Sequence, residues 1–239
     1  MDTEQAPTFH PTKHQQQVNN YMDKKKIPEG QARDLVARDL VSERSRKRLE
    51  ETKKLIIIDP LTGLYNHRGL LGDVTANPPI EGRLQQMFAH SQRTGESLAA
   101  VMIDLDNFKQ YNDTYGHMDG DEALILFTKL MKDVIRDSDF PVRYGGEEFI
   151  IILPDTNIVE GSAIVERLRK IVEQCRGFKR PLTISAGITC FDPKDQPSPI
   201  NTPQELIKEA DVLVYEAKDR GRNQTVSSIS PNPVSVLKR

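Results

Sequence analysis

Residues 59–228 predict one mixed α/β domain, and three observations lead there. Leu98–Leu105 (LAAVMIDL) is an apolar run ending in carboxylates, as expected of a strand buried on both faces. Phe140–Tyr144 and Phe149–Leu153 are short β-type runs bracketing Gly145–Glu148, which reads as a hairpin with a glycine turn. Asp121–Ile135 places Ala123, Leu124, Leu126, Phe127, Leu130, Met131 and Val134 at helical spacing. Asn157–Cys175 continues as a second amphipathic helix, Leu182–Cys190 as a strand and Pro203–Arg220 as a third helix. Thr225–Ile229 closes the sheet. The order strand, helix, strand, strand, helix, strand, helix, strand mixes a hairpin with crossovers. That is the ferredoxin-like or polymerase-palm kind of sandwich.

The head of the chain is different in texture. Residues 1–28 are rich in Gln, Asn, Lys and Pro and are expected to be poorly ordered. Residues 29–58 favour a helix, with Leu35, Val36, Leu40, Leu49 and Ile56 at roughly helical spacing. Arg38, Ser42 and Ser45 interrupt that stripe, so no clean heptad survives. Two readings stay open: a solvated helix leaning on the next domain, or a dimerising, signal-transmitting helix. Residues 229–239 read as a disordered tail containing Pro and Ser.

Composition narrows the function classes. The chain has 239 residues, 37% hydrophobic and 28% charged, which suits a soluble globular protein. Its net charge of −2 provides no field to recruit nucleic acid or anionic lipid. The basic stretch Arg44–Arg48 is flanked by Glu43, Glu50 and Glu51 with no interleaved aromatic residue, which also argues against nucleic acid. Cys175 and Cys190 alone cannot build a disulfide framework or a four-cysteine zinc site, and read as thiols in a reducing compartment. No apolar run approaches the roughly 18 residues of a membrane span. The polar start MDTEQAPTFHPTKHQQQ does not read as a signal peptide. The expected location is the cytoplasm.

The chemistry concentrates in two places. Side chains alternate along a strand, so Asp104 and Asp106 share a face at the end of the first strand while Leu105 points away. Taken alone, such a pair is often a solvated strand end. The turn Gly145-Gly146-Glu147-Glu148 adds two acids at a hairpin tip where glycine permits close backbone approach. Carboxylates converging from a strand end and a neighbouring tip suit a hard cation such as Mg²⁺, which keeps positions for water and substrate phosphate.

RYGGEEF at Arg143–Phe149 resembles the signature of GGDEF domains, the bacterial diguanylate cyclases. DPLTGLYNHRG at Asp59–Gly69 is similar to that family's opening motif, with His67 where arginine is more usual. DLDNFKQYNDTYGHMDGD at Asp104–Asp121 resembles its substrate-binding segment, and YEAKDRGRN at Tyr215–Asn223 its closing phosphate segment. The stretch Leu71–Gly95, with Pro78 and Pro79, looks longer and more irregular than the family's pattern.

The resemblance implies joining two GTP molecules into cyclic di-GMP, with Mg²⁺ as cofactor and Mn²⁺ as its substitute. It makes Asp104, Glu147 and the Leu105 carbonyl metal ligands, and Glu147 and Glu148 the catalytic acids, with Asp106 structural. It gives the guanine edge to Asp121 and Asn112. A carboxylate only accepts, which suits guanine's adjacent donors and rejects adenine. The competing readings are a helix N-cap for Asp121 and a turn amide for Asn112. Lys218, Arg222, Lys109 and the backbone from Phe108 are the implied phosphate contacts, with Gly145 and Gly146 allowing close approach. Arg136 and Asp139 form an RxxD pattern separated from Gly145 by five residues, and with Arg167 they match the family's product-inhibition site. The bland alternative there is a surface ion pair. Since one domain holds one GTP, turnover implies a homodimer. The alternatives are a binding module that holds nucleotide without turnover and a palm-type enzyme with another product.

Overall fold

The computed structural model describes residues 13–25, scattered positions from 28 to 47, and residues 56–76, 79–195 and 198–228. The chain divides into two compact units, Met1–Lys54 and Leu55–Arg239. In the first, Lys13–Lys25 is helix α1, and the described positions between 31 and 47 are helical too. Val18 and Met22, one turn apart, pack with Val36 and Leu40, also one turn apart. This corrects the expectation of poor order over 1–28 for the stretch Lys13–Lys25. A seam of two apolar side chains supports a helix that composition alone argues against. Residues 1–12 and 229–239 lie outside the described residues, so the expectations about them do too.

The second unit is a six-stranded sheet flanked by helices. Before its central strand come β1 (Tyr65–Asn66), α2 (His67–Leu71), β2 (Gly72–Asp73), β3 (Ile80–Glu81) and α3 (Arg83–Thr94). The Leu71–Gly95 stretch therefore carries a small antiparallel β2–β3 pair and a full helix, more order than its irregular texture suggests. Next come β4 (Leu98–Leu105), α4 (Phe108–Tyr115), α5 (His117–Val134), β5 (Phe140–Arg143) and β6 (Glu148–Pro154). Then follow α6 (Ile158–Gln174), β7 (Ile184–Phe191), α7 (Pro203–Asp219) and β8 (Thr225–Ser227). Strand order is β1-β5-β6-β4-β7-β8, with β1–β5 and β7–β8 parallel and the other pairs antiparallel.

All eight residues of β4 are buried, because it lies between β6 and β7 with helices on both faces. Alternation divides them. Ala99, Val101, Ile103 and Leu105 join Phe127, Met131 and Leu168 of α5 and α6, while Leu98, Ala100 and Met102 join Phe88 of α3 and Leu206 and Ala210 of α7. Asn157 and Thr202 close capping boxes with Glu160 and Glu205 at the starts of α6 and α7, each cap worth about 1 kcal/mol. Among the described residues no helix is long and apolar enough to cross a membrane.

One helix start differs from expectation. α5 begins at His117, four residues before Asp121, with Gly116 as its cap at φ 87°. That same glycine ends α4, so a single positive-φ residue turns one helix into the next. Asp121 lies within the helix, which removes its N-cap reading.

Candidate functional site

The hairpin tip is held from below. Tyr144 and Gly145 N–H both donate to the Glu148 carbonyl, at 2.8 and 3.2 Å. A side chain at Gly145 would displace the Glu148 carboxylate, whose Oε2 lies where its Cβ would be. Arg143 Nε and a terminal nitrogen donate to the Gly146 carbonyl at 3.1 and 2.8 Å. The other terminal nitrogen of Arg143 reaches both Asp59 oxygens at 3.1 Å. Asp59 also accepts from the Thr62 backbone N–H and hydroxyl, at 2.8 and 2.6 Å. Burial works against the charge of Asp59, but these donors and Arg143 outweigh it and hold its carboxyl below the usual range. The DPLT corner and the glycine turn are thus one structural piece. Arg143→Ala leaves the half-buried Asp59 without its counter-ion and should cost about 3 kcal/mol of stability, read as a drop in the denaturant midpoint.

The acids meet where β4 ends beside β6. Asp104 is the register partner of Glu148 and of Ser185, and Leu105 N–H donates to the Glu147 carbonyl at 3.3 Å. Asp104 is 6% exposed, and Lys218 Nζ from the last turn of α7 contacts it at 2.7 Å. Burial raises the Asp104 pKa, and the Asp106 charge adds to that, against the pull of Lys218 and Arg222. Glu147 is raised in the same way, first by burial and then by the Asp104 charge, with Glu148 adding and Lys218 opposing. Asp104, Glu147, Glu148, Lys218 and Arg222 therefore act on one another in one place.

Mutually repelling carboxylates make an all-oxygen donor set, which fits a hard divalent cation. Among the described residues no three His, Cys, Asp or Glu side chains stand ready as a metal cage. An ion that draws half its ligands from substrate phosphate and water needs none. The residues fit.

α4 starts after Asn107, at φ 56°, with no side-chain cap, so the first N–H groups from Phe108 onward lack helical partners. Phe108 is buried in the core, whereas Lys109 is exposed and forms no ion pair among the described residues. Arg180, which the sequence reading missed, donates to the Asn107 carbonyl at 3.0 Å and to Gln110 Oε1 at 3.1 Å. It bore no motif; its place in the loop before β7 brings it there. Arg222 follows α7 at φ 65°.

Farther along, Asn112 leans on Gly120 so closely that any side chain at Gly120 would collide with its Oδ1. That oxygen is buried with no partner, an acceptor in want of a donor. Asp121, next in sequence to Gly120, is exposed on α5. A second corner lies at the end of α5. Arg136 N–H donates to Asp139 Oδ2 at 2.8 Å, while Asp139 Oδ1 is buried and unpartnered. Burial raises the Asp139 pKa against the pull of the Arg136 amide and charge. Arg167 of α6 donates to the Val134 carbonyl at 2.5 Å, so it joins this corner.

The chain is similar to known proteins. The sequence profile described as "Diguanylate cyclase, GGDEF domain" matches residues 56–224. Diguanylate cyclase DgcP of Pseudomonas aeruginosa is 34% identical over 180 residues, covering 74% of this chain and 24% of that protein. Response regulator PleD of Caulobacter vibrioides is 36% identical over 187 residues, covering 76% of this chain and 38% of that protein. The chain thus spans well under half the length of these relatives. Among solved structures, the active GGEEF domain of a diguanylate cyclase from Vibrio cholerae matches with a TM-score of 0.56 at 32% identity, covering 60% of this chain and 90% of that one. The coiled coil and GGDEF domain of DgcB from Caulobacter crescentus, solved with c-di-GMP, has a TM-score of 0.66 at 24% identity, covering 82% and 97%, and supports the fold. With a profile matching most of its length and the strand-end and hairpin acids side by side, the chain belongs to the GGDEF-domain diguanylate cyclase family.

Proposed function

We propose that the chain condenses two GTP molecules into cyclic di-GMP, releasing two pyrophosphates, at a Mg²⁺-dependent site between two facing copies. One observation carries this reading: Asp104, Glu147 and Glu148 stand together with Lys218 on Asp104 at 2.7 Å. The named relatives and the intact glycine turn support it. The work belongs to the cytoplasm, where GTP is available.

Asp104, Glu147 and the Leu105 carbonyl would hold Mg²⁺ (or Mn²⁺), with Glu148 assisting. Bound there, the ion supplies Lewis acidity, which acidifies the attacking ribose hydroxyl and offsets phosphate charge. The chain's own residues do the rest. Lys218, paired with Asp104 at 2.7 Å, would turn to the phosphates of a bound nucleotide, joined by Arg222, Lys109 and the amides at the start of α4. Glu147, at the hairpin tip beside the end of β4, would assist removal of the hydroxyl proton. Asn112 Oδ1 accepts from the guanine amino group and Asp121 from its Watson–Crick donors. Arg136, Asp139 and Arg167 take cyclic di-GMP as inhibitor, Asp139 Oδ1 finding there the donor it lacks.

Incubating the purified chain with Mg²⁺ and GTP, then resolving products by chromatography, should yield cyclic di-GMP at a rate rising faster than protein concentration. Intact GTP with tight cyclic di-GMP binding would instead leave a binding module. Arg136→Ala should weaken product inhibition by roughly tenfold or more and spare the initial rate. Unchanged inhibition would remove the second site.

A further inference from the structure

Asp106 takes no part in the reaction above, yet it is among the most constrained groups in the fold. It is 3% exposed, and its carboxylate accepts from the Thr183 hydroxyl at 2.7 Å, the Ser185 hydroxyl at 2.6 Å and the Asn223 backbone N–H at 3.0 Å. Asn223 is gripped from its other end as well. Its Oδ1 accepts from Arg169 at 2.7 Å, and its Nδ2 donates to Glu173 Oε1 at 2.7 Å. Arg169 is itself locked by a two-pronged contact with Glu166, at 2.7 and 2.8 Å, and by Glu173 at 3.0 Å.

Three of these bonds end on Asn223, which shares a rare backbone conformation with the residue before it. Arg222 and Asn223 have φ of 65° and 47°, a left-handed pair that a chain does not keep without outside support. The pair turns the backbone out of α7 so that the Arg222 charge acts on Asp104, beside Lys218. Arg222 N–H donates to the Ala217 carbonyl at 3.0 Å, and Gln224 Nε2 donates to the same carbonyl at 3.1 Å, tying the turn to the helix that carries Lys218.

We infer that Asp106, Asn223 and Arg169 are positioning residues for the nucleotide's triphosphate: they clamp the strained turn so that Lys218 and Arg222 present two cations at fixed spacing. This rests on the GTP reading of the site. Long cationic side chains lose much freedom on binding, and a backbone fixed in advance lowers that cost. Asp106 ties the turn to the strand that carries Asp104, so metal ligand and phosphate grips keep one frame.

Asn223→Gly isolates the effect, because glycine accepts φ 47° without strain and loses only the side chain's two hydrogen bonds. Calorimetric titration with Mg²⁺ and a non-hydrolysable GTP analogue should show affinity reduced roughly tenfold or more. Binding of GMP, which lacks the outer phosphates, should be unchanged, and Arg169→Lys should show a smaller loss of the same kind. A purely structural role would lower the fraction of competent protein and leave both affinities alone. No loss, or an equal loss for analogue and GMP, would overturn the clamp. Failure of the unsubstituted protein to bind the analogue would overturn the GTP reading, and the clamp with it.

Discussion

Glu147→Gln should reduce cyclic di-GMP formation by about 10³-fold or more while the fold survives. The amide keeps the shape of glutamate but can neither hold a cation by charge nor accept a proton. Glu147 serves the hairpin through its backbone carbonyl, which accepts from Leu105 N–H at 3.3 Å, and the substitution leaves that bond in place. Its side chain works against the fold. Burial and the adjacent Asp104 raise the Glu147 pKa. A carboxyl that binds its proton more tightly folded than unfolded makes the native state lose stability as pH rises from the ordinary carboxylate range through the raised value. The ionised carboxylate therefore costs the native state stability above the ordinary carboxylate range, so at neutral pH the variant should melt at the same temperature as the parent or higher. The difference should vanish in acid, below the ordinary range. Thermal melts at both pH values, beside the chromatographic rate, check both halves. A marked fall in the neutral melting temperature would show that Glu147 serves the fold.

Asp121→Asn should reduce the preference for GTP over ATP by roughly 10²- to 10⁴-fold, measured as the ratio of kcat/KM values. Guanine offers two adjacent donors, and a carboxylate accepts from both. An asparagine amide turns one acceptor into a donor, which opposes guanine and suits adenine. Position supports a recognition role, because α5 begins at His117 and Asp121 is free of capping duty. Its neighbour Gly120 packs beneath Asn112, whose buried oxygen has no partner. An unchanged ratio would contradict this assignment.

Local pattern carried much of the architecture. The apolar run of β4, the glycine turn before β6 and the helical spacing of α5, α6 and α7 can each be read within a short window, and each stands in the structure. The misses have a different physics. Lys13–Lys25 is a helix through its packing with Val36 and Leu40, which its own composition does not announce. The start of α5 depends on one positive-φ glycine shared with α4. Order within Leu71–Gly95 comes from the helix Arg83–Thr94 and from two-residue strands too short to leave a periodic trace.

The site divides the same way. Acids and glycines next to each other in sequence were readable. Pairings across long stretches of chain were not: Arg143 with Asp59 is separated by 84 positions, Thr183 with Asp106 by 77 and Arg169 with Asn223 by 54. Charge alone does not say which of 35 acidic residues a given arginine will meet; strand order decides that.

Turnover depends on Asp104 and Glu147 holding one divalent ion together with nucleotide. Electron paramagnetic resonance of Mn²⁺, titrated into the protein with a non-hydrolysable GTP analogue, tests this directly. It should show a tightly bound ion in the unsubstituted chain, lost in both Asp104→Asn and Glu147→Gln. Equal Mn²⁺ binding in all three proteins would contradict it.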